Sequence, residues 1–129
     1  MTEWIFPCNP KIYKVEEAFN ALNKLDWKQS NPNVKIGDIV YIYVSKPVAA
    51  IKYKCRVNKV NLKKIEIDDT AFVVDGTQYQ HYPIHMEIEK MKEYSDELTM
   101  EKLISVGLNG RIQGPRKIND ELSVFISSF

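Results

Sequence analysis

The fold is decided by one stretch, Ile36-Gly-Asp-Ile-Val-Tyr-Ile-Tyr-Val-Ser-Lys-Pro47. Its centre, residues 39 to 44, is an unbroken apolar run of β-branched and aromatic residues. Such a run is typical of a strand that is covered on both faces. Glycine permits a positive φ, and an aspartate side chain can bond the backbone that follows it, so Gly37-Asp38 predicts a structural feature at the entry to this strand, a hairpin or a bulge. Ser45-Lys46-Pro47 ends it.

The segment after this strand alternates strictly between apolar and polar residues, which predicts a half-buried antiparallel strand. The apolar face is expected to carry Ile51, Tyr53, Cys55 and Val57, and the polar face Lys52, Lys54, Arg56 and Asn58.

Other elements are predicted on both sides of these two strands. Three further segments have apolar spacing or caps typical of helices: about Lys14 to Lys24, Met100 to Val106 with Thr99 as N-cap and Gly107 at its end, and a last helix from near Asn119. The remaining predicted segments are a short strand at Trp4–Phe6 closed by Pro7, a short strand or excursion at Ala71–Val74 ending in a turn at Asp75-Gly76, and a strand from about Tyr82 to Met91.

Length and composition indicate one α+β domain over residues 1–129, with a mixed or antiparallel sheet and a few short helices. Hydrophobic and charged contents of 44% and 27% are ordinary for a soluble globule. No apolar run approaches the roughly 18 residues needed to cross a bilayer, and the amino terminus lacks the features of a signal peptide. Cys8 and Cys55 have no metal or redox spacing. We therefore expect a cytoplasmic protein without a membrane partner.

The net charge of +1 conceals a strong asymmetry along the chain. Residues 39 to 65 contain seven cations and no acid, whereas residues 66 to 105 contain ten acids and three lysines. Lys52, Lys54 and Arg56 therefore define a basic strand face. Cations on such a face can keep an exposed strand soluble, or they can form a track for phosphates.

The segment Gly107–Lys117 has the composition of a ligand-binding loop. Its three glycines allow close approach of a ligand, and Gln113 offers both a donor and an acceptor to a base edge. Arg111, Arg116 and Lys117 are candidates for phosphate contacts. The alternative interpretation is an ordinary connector between two helices.

Trp27 is the candidate stacking residue. Its polar neighbours in Asp26-Trp-Lys-Gln-Ser-Asn31 predict a partly open position, where the indole would form one wall of a slot for a planar ring. Core packing is the alternative, and it is the more common role of a tryptophan.

Catalytic and metal motifs are incomplete in this sequence. His85-Met-Glu87 matches half of a zinc deaminase signature without the cysteine half, and Pro83 separates His81 from His85. Nucleophile-elbow and phosphate-loop motifs are absent. We expect a binding module without metal or cofactor; if a metal-free hydrolytic site exists, Glu87 or Asp38 is the first candidate for its general base.

An ordered set of segments resembles the EVE domain of the PUA-like superfamily, and the resemblance covers nearly the whole chain outside residues 63–80. The set is Trp4-Ile-Phe-Pro-Cys-Asn-Pro10, a helix, Asp26-Trp27, Val34–Pro47 and Gly107-Leu-Asn-Gly-Arg-Ile-Gln-Gly-Pro-Arg116.

The resemblance implies a pseudo-barrel of five or six strands with short flanking helices. It also implies a nucleic-acid reader that accepts a flipped, modified base, typically a modified cytosine in DNA, in an aromatic-lined pocket. The matching positions are Asn9, Trp27, Ser30, Tyr43, Ser45, Pro47, Gln113 and Arg116. The first strand carries Pro-Cys-Asn-Pro where the more familiar branch has Lys-Ser-Glu-Pro, which leaves the accepted base open.

Two other functions fit the same residues. An RNA-binding module also needs cations and a stacking surface. A small-molecule or nucleotide-binding regulator would use the basic face for protein contacts. Because no nuclease domain is part of the sequence, a nuclease or methyltransferase is expected only as a separately encoded partner.

Overall fold

The computed structural model describes residues 1–74 and 82–129. The predicted turn at Asp75-Gly76, and His81, lie outside the described residues. In chain order the elements are β1 (Glu3–Cys8), α1 (Val15–Ala21), β2 (Lys24–Lys28), β3 (Ile39–Val44), β4 (Ala50–Leu62), a 3-10 turn (Thr70–Phe72), β5 (His85–Glu93), α2 (Met100–Ser105), β6 (Arg116–Lys117) and α3 (Asp120–Ser127).

The strands form one mixed sheet in the order β2-β5-β4-β3-β1-β6. β1 and β3 are parallel, and the other neighbouring strands are antiparallel. The sheet curls around an inner apolar cluster to which five strands and α1 contribute. The predicted α+β pseudo-barrel of five or six strands with short flanking helices is confirmed.

The packing of strand β3 explains its unbroken apolar run. Val40, Ile42 and Val44 belong to the inner cluster inside the curled sheet. Tyr41 and its neighbours on the opposite face belong to an outer cluster, which α2 and α3 cover. All six residues of β3 are buried because both faces of the strand are packed.

Most predicted elements are present, with shifted ends. β4 alternates as predicted from Tyr53 to Val57 and continues to Leu62. Ile51 does not share their face, contrary to the prediction, because a register shift between β3 and β4 turns it to the outer cluster. β5 begins at His85 instead of Tyr82.

The predicted N-cap is confirmed, since the Thr99 side chain accepts from the Lys102 amide. The last helix begins at Asp120, next to the predicted start, and the Asn119 side chain caps it by accepting from the Leu122 amide. Among residues 1–74 and 82–129, no helix is long and apolar enough to cross a membrane.

The prediction of a helix through Lys24 is wrong. The helix ends at Ala21, the backbone of Leu22 is extended, and Lys24–Lys28 forms the unpredicted strand β2. β2 exists because it pairs with β5, about 60 residues away. Ala71–Val74 is an excursion with a 3-10 turn, and Val73 makes a single bridge to Tyr13.

Pro7 does not end β1, contrary to the prediction. The strand continues to Cys8, whose carbonyl accepts at 2.9 Å from the amide of Ser45, the residue directly after β3. Because backbone groups alternate sides along a strand, the nitrogen of Pro7 points away from β3. On that side β6 pairs only with Trp4 and Ile5, so no ladder hydrogen bond is lost.

Asp38 ties the amino terminus to the start of β3. Gly37 has the predicted positive φ, +92°. The carboxylate of Asp38 accepts from the Thr2 amide, the Trp4 indole and the Lys35 amide, each at 3.0 Å. The expected bond to the following backbone is replaced by these three, since the donors come from the preceding turn and from the neighbouring strand.

Candidate functional site

The main cavity opens where β1 and β3 end. Because the two strands are parallel, their carboxyl ends meet at one edge of the sheet. The start of α2 and the segment 107–117 form the opposite walls, and the cavity volume is about 810 Å³. Five predicted site residues line it: Asn9, Tyr43, Ser45, Arg111 and Gln113.

A second, smaller depression of about 200 Å³ adjoins this cavity. Trp27, Ser30 and Gln113 line it together with Pro7 and Pro115. Gln113 lines both spaces and therefore connects them. Six of the seven residues predicted for a base pocket thus lie around two neighbouring concave spaces. Pro47, the seventh, is exposed and lines neither.

Trp27 is not partly open, contrary to the prediction. It is 4% exposed, and its ring meets the Tyr13 ring edge-on at 5.5 Å between centroids. Its side chain lies on the inner face of β2, where alternation places it with Leu25 inside the curled sheet. The Trp27 ring is therefore packed in the interior where it borders the smaller depression, and it does not form the open wall of a slot.

The segment Gly107–Lys117 is not entirely a loop. Its last two residues form β6 against β1. Arg116 donates to the carbonyl oxygen of Asn109, and the Lys117 ammonium lies 5.5 Å from the centre of the Trp4 ring. Of the three cations predicted to contact phosphate here, Arg111 lines the cavity and the other two do not.

The basic face of β4 is matched by acids of β5. Arg56 lies 3.6 Å from Glu89 in an ion pair, and its strand neighbour Lys59 lies 3.7 Å from Glu87. Lys52 donates to the carbonyl oxygen of Ser95 and lies 3.7 Å from Asp96. Three cations of the basic segment therefore have acidic partners, whereas Lys54 lies opposite Lys92 of β5. Lys52, Lys54 and Arg56 do not line the cavity.

Several other residues that line the cavity were not predicted from the sequence. Lys11 and Lys46 lie at its rim, and Thr99, Met100 and Glu101 line the wall at the start of α2. Lys46 had a usable signal, because it follows the predicted site residue Ser45 directly. Nothing local to residues 99–101 marked them as site residues, since they reach the cavity through contacts with the start of β4.

The floor of the cavity is apolar and its edges are polar. Tyr43 and Ile112 are 6% and 7% exposed. Burial raises the pKa of the Tyr43 phenol, so its hydroxyl stays protonated at neutral pH and can donate a hydrogen bond. The Ser45 hydroxyl donates to the carbonyl oxygen of Cys8 at 3.2 Å, which orients Ser45 at the junction of the two strands.

The described residues contain no group of three histidine, cysteine or carboxylate side chains arranged to hold a metal ion. The two suspected general bases lie away from the cavity. Asp38 is occupied by its three donors, and Glu87 is buried beside Lys59. This geometry offers recognition surfaces, namely an apolar floor, amides, hydroxyls and cations.

Structural comparison identifies the fold. The chain is similar to the ASCH protein of Zymomonas mobilis, with 9% identity over 98% of this chain and 94% of that one and a TM-score of 0.66. It is also similar to a protein from Pseudomonas syringae, with 15% identity over 98% and 97% and a TM-score of 0.70. The fold is PUA-like.

A third structure with this PUA-like fold comes from Leishmania major, with 13% identity over 99% of this chain and 93% of that one and a TM-score of 0.67. No protein-family model and no curated protein matches the sequence. At these identities the similarity shows the fold alone.

Proposed function

We propose that this PUA-like domain binds nucleic acid without catalysis and holds one unstacked base in the cavity at the ends of β1 and β3. The observation that carries the proposal is the composition of that cavity. It combines an apolar floor at Tyr43 and Ile112, amides at Asn9 and Gln113, and cations at its rim. Its volume lies in the range of specific small-ligand sites.

The rim cations are free to contact phosphates. Within the described part of the chain, no carboxylate lies within ion-pair distance of Lys11, Lys46 or Arg111. The β4 cations differ, since Lys52 and Arg56 already have acidic partners. We therefore assign the phosphate contacts to the rim and not to β4.

Base recognition is assigned to Gln113 and Asn9. Both amides present a donor and an acceptor, which suits the Watson–Crick edge of an unpaired base. The sequence resemblance to the EVE domain favours a modified cytosine in DNA, read after flipping. The nuclease or methyltransferase that would act on such DNA is a separate protein in this proposal.

Fluorescence anisotropy with labelled oligonucleotides tests the proposal. The probes are a DNA duplex with one 5-methylcytosine, the same duplex unmodified, and a single-stranded RNA of matching sequence. Arg111→Ala and Lys46→Ala should each weaken binding to every probe and reduce the salt slope by about 0.7–0.9. Gln113→Ala should reduce the preference between probes and leave the salt slope unchanged.

Lys64→Ala is the matched control, because Lys64 is an exposed lysine beyond the far end of β4. Absence of binding to all three probes at low salt would refute the proposal, as would equal losses in Lys64→Ala and Lys46→Ala. Trp27→Ala is unsuitable as a pocket variant, since removal of a buried indole would disturb the fold.

RNA binding is the second candidate, and the single-stranded RNA probe decides between the two. The cavity volume also permits a free nucleotide as ligand. If a mononucleotide binds more tightly than every oligonucleotide and displaces none of them, the result would indicate a nucleotide-binding regulator instead.

A further inference from the structure

A separate acidic pocket lies on the outer face of the sheet, under the excursion that follows β4. Its volume is about 290 Å³. Its lining combines the acidic residues Asp26, Glu66, Asp68 and Asp69 with His85 and three aliphatic side chains. The aliphatic residues are Ile65, Ile67 and Val73.

Asp26 anchors this pocket from the sheet. It points to the outer face because its neighbours Leu25 and Trp27 face the inner cluster. Its cross-strand partner in β5 is Glu87. Asp26 and Glu87 are 6% and 7% exposed. Two like charges directly opposite each other are unfavourable in an antiparallel pair, and burial increases their repulsion.

The carboxylate of Asp26 is only half satisfied. Its Oδ2 atom accepts from the amides of Glu66 and Ile67 at 2.7 and 2.9 Å. Its Oδ1 atom is buried and has no hydrogen-bond partner among the residues that the structure describes. A buried carboxyl oxygen without a hydrogen-bond donor is costly, so the site favours a ligand that donates hydrogen bonds, and the surrounding acids favour one that is positively charged.

The other acids of the pocket add negative charge. Asp68 accepts from the amide and hydroxyl of Thr70, and Asp69 accepts from the Tyr13 hydroxyl at 2.6 Å. Burial raises the pKa of Asp69, and the nearby charges of Asp26 and Asp68 add to the rise. The described ion pairs bring one cation to this cluster, Lys59, whose ammonium lies 3.3 Å from Glu66 and 3.7 Å from Glu87.

We propose that this pocket binds a primary ammonium or guanidinium group carried on an aliphatic chain. The carboxylates would accept from the cationic head, and Ile65, Ile67 and Val73 would pack against the methylene groups. A bare metal ion fits less well, because no three ligating side chains in the described ranges converge on one point. The ligand chemistry is shared by free polyamines and by lysine or arginine side chains of a partner protein.

An NMR titration of the full chain tests the site, with the amide resonances of Glu66 and Ile67 as reporters. The probes are n-butylammonium, putrescine, Nα-acetyl-lysine-N-methylamide and the uncharged n-butanol, all at constant ionic strength. We expect the three cations to shift both resonances saturably and n-butanol to leave them in place. Tighter binding of putrescine than of the lysine derivative identifies a free polyamine as the source, and the reverse order identifies a protein side chain.

Asp26→Asn and Asp68→Asn should each weaken binding about tenfold or more, since each removes one charge-assisted acceptor. The matched control is Asp96→Asn, which removes a carboxylate whose side chain is 95% exposed and should leave the affinity unchanged. If Asp26→Asn fails to fold by circular dichroism, Asp68→Asn decides. Equal shifts with n-butanol, wild-type affinity in the folded Asn variants, or an equal loss in Asp96→Asn would overturn the proposal.

Discussion

Replacing Asp38 with alanine removes the contact that joins the amino terminus to β3. The carboxylate is 4% exposed and accepts from three donors at 3.0 Å. Two of the donors are backbone amides, those of Thr2 and Lys35. The third is the indole nitrogen of Trp4, a residue that is 1% exposed, so water cannot replace the lost acceptor there without rearrangement.

The expected loss follows from these three bonds. A hydrogen bond to a charged group contributes about 1.5–3 kcal/mol when the alternative is an unsatisfied buried donor, and less where water can enter. If the hydrogen bond from the Trp4 indole is counted in full and those from the two backbone amides in part, the expected loss in the free energy of unfolding is about 3–5 kcal/mol. That is a large fraction of the roughly 5–15 kcal/mol that stabilises a domain. Asp38→Asn keeps an acceptor oxygen and should lose less.

Urea unfolding followed by tryptophan fluorescence measures the effect. Burial acts to raise the pKa of Asp38, but the hydrogen bonds from Trp4, Lys35 and Thr2 hold it below its usual value. The stabilisation is therefore complete above the unfolded pKa of about 3.9 and declines as pH falls through the lower folded pKa. The deficit of Asp38→Ala should shrink on acidification below about pH 4.

Two outcomes would refute this reasoning: a deficit under about 1 kcal/mol at pH 7, or a deficit that grows as the pH falls. Asp96→Ala serves as the control, because this exposed carboxylate should change the unfolding free energy by less than about 0.5 kcal/mol.

Other predictions concern the thiols and the last helix. Burial raises the pKa of Cys8 to about 12 and raises that of Cys55 still further above its usual value. Neither thiol should therefore react with a disulfide reagent at pH 8 in the folded protein, and both should react in urea. Rapid labelling without denaturant would contradict the burial of the two thiols. Asn119→Ala should cost about 1 kcal/mol in urea unfolding because its side chain caps the Leu122 amide at 2.8 Å, and the more distant cap Thr99→Ala should cost less. The opposite order would argue against both caps.

The elements with a local signal were predictable. The apolar run of β3, the alternation of β4 and the caps at Thr99 and Asn119 each depend on residues within one element. β2 was missed because the alternation of Lys24–Lys28 covers only five residues directly after a helical pattern, and the strand forms by pairing with β5.

The candidate site was predictable in part. The segments that match the EVE pattern do converge, since Asn9, Tyr43, Ser45 and Gln113 line one cavity. Their role in base binding stays a prediction. The exposure of Trp27 was misjudged from its polar neighbours, because those neighbours occupy the opposite face of β2 or lie beyond its end.

The sequence by itself determined strands β3 and β4, the Thr99 cap and the α+β class, because side-chain periodicity and capping act between near neighbours. Only the tertiary structure decided which charged side chains are available to contact a ligand. Residues 39–65 carry a block of cations and residues 66–105 a block of acids, and the pairing of β4 with β5 sets Arg56 beside Glu89 and Lys59 beside Glu87. Cross-strand register sets the distances between charges, so Arg56 and Lys59 of the basic segment are paired with acids, while Lys46 and Arg111 line the cavity.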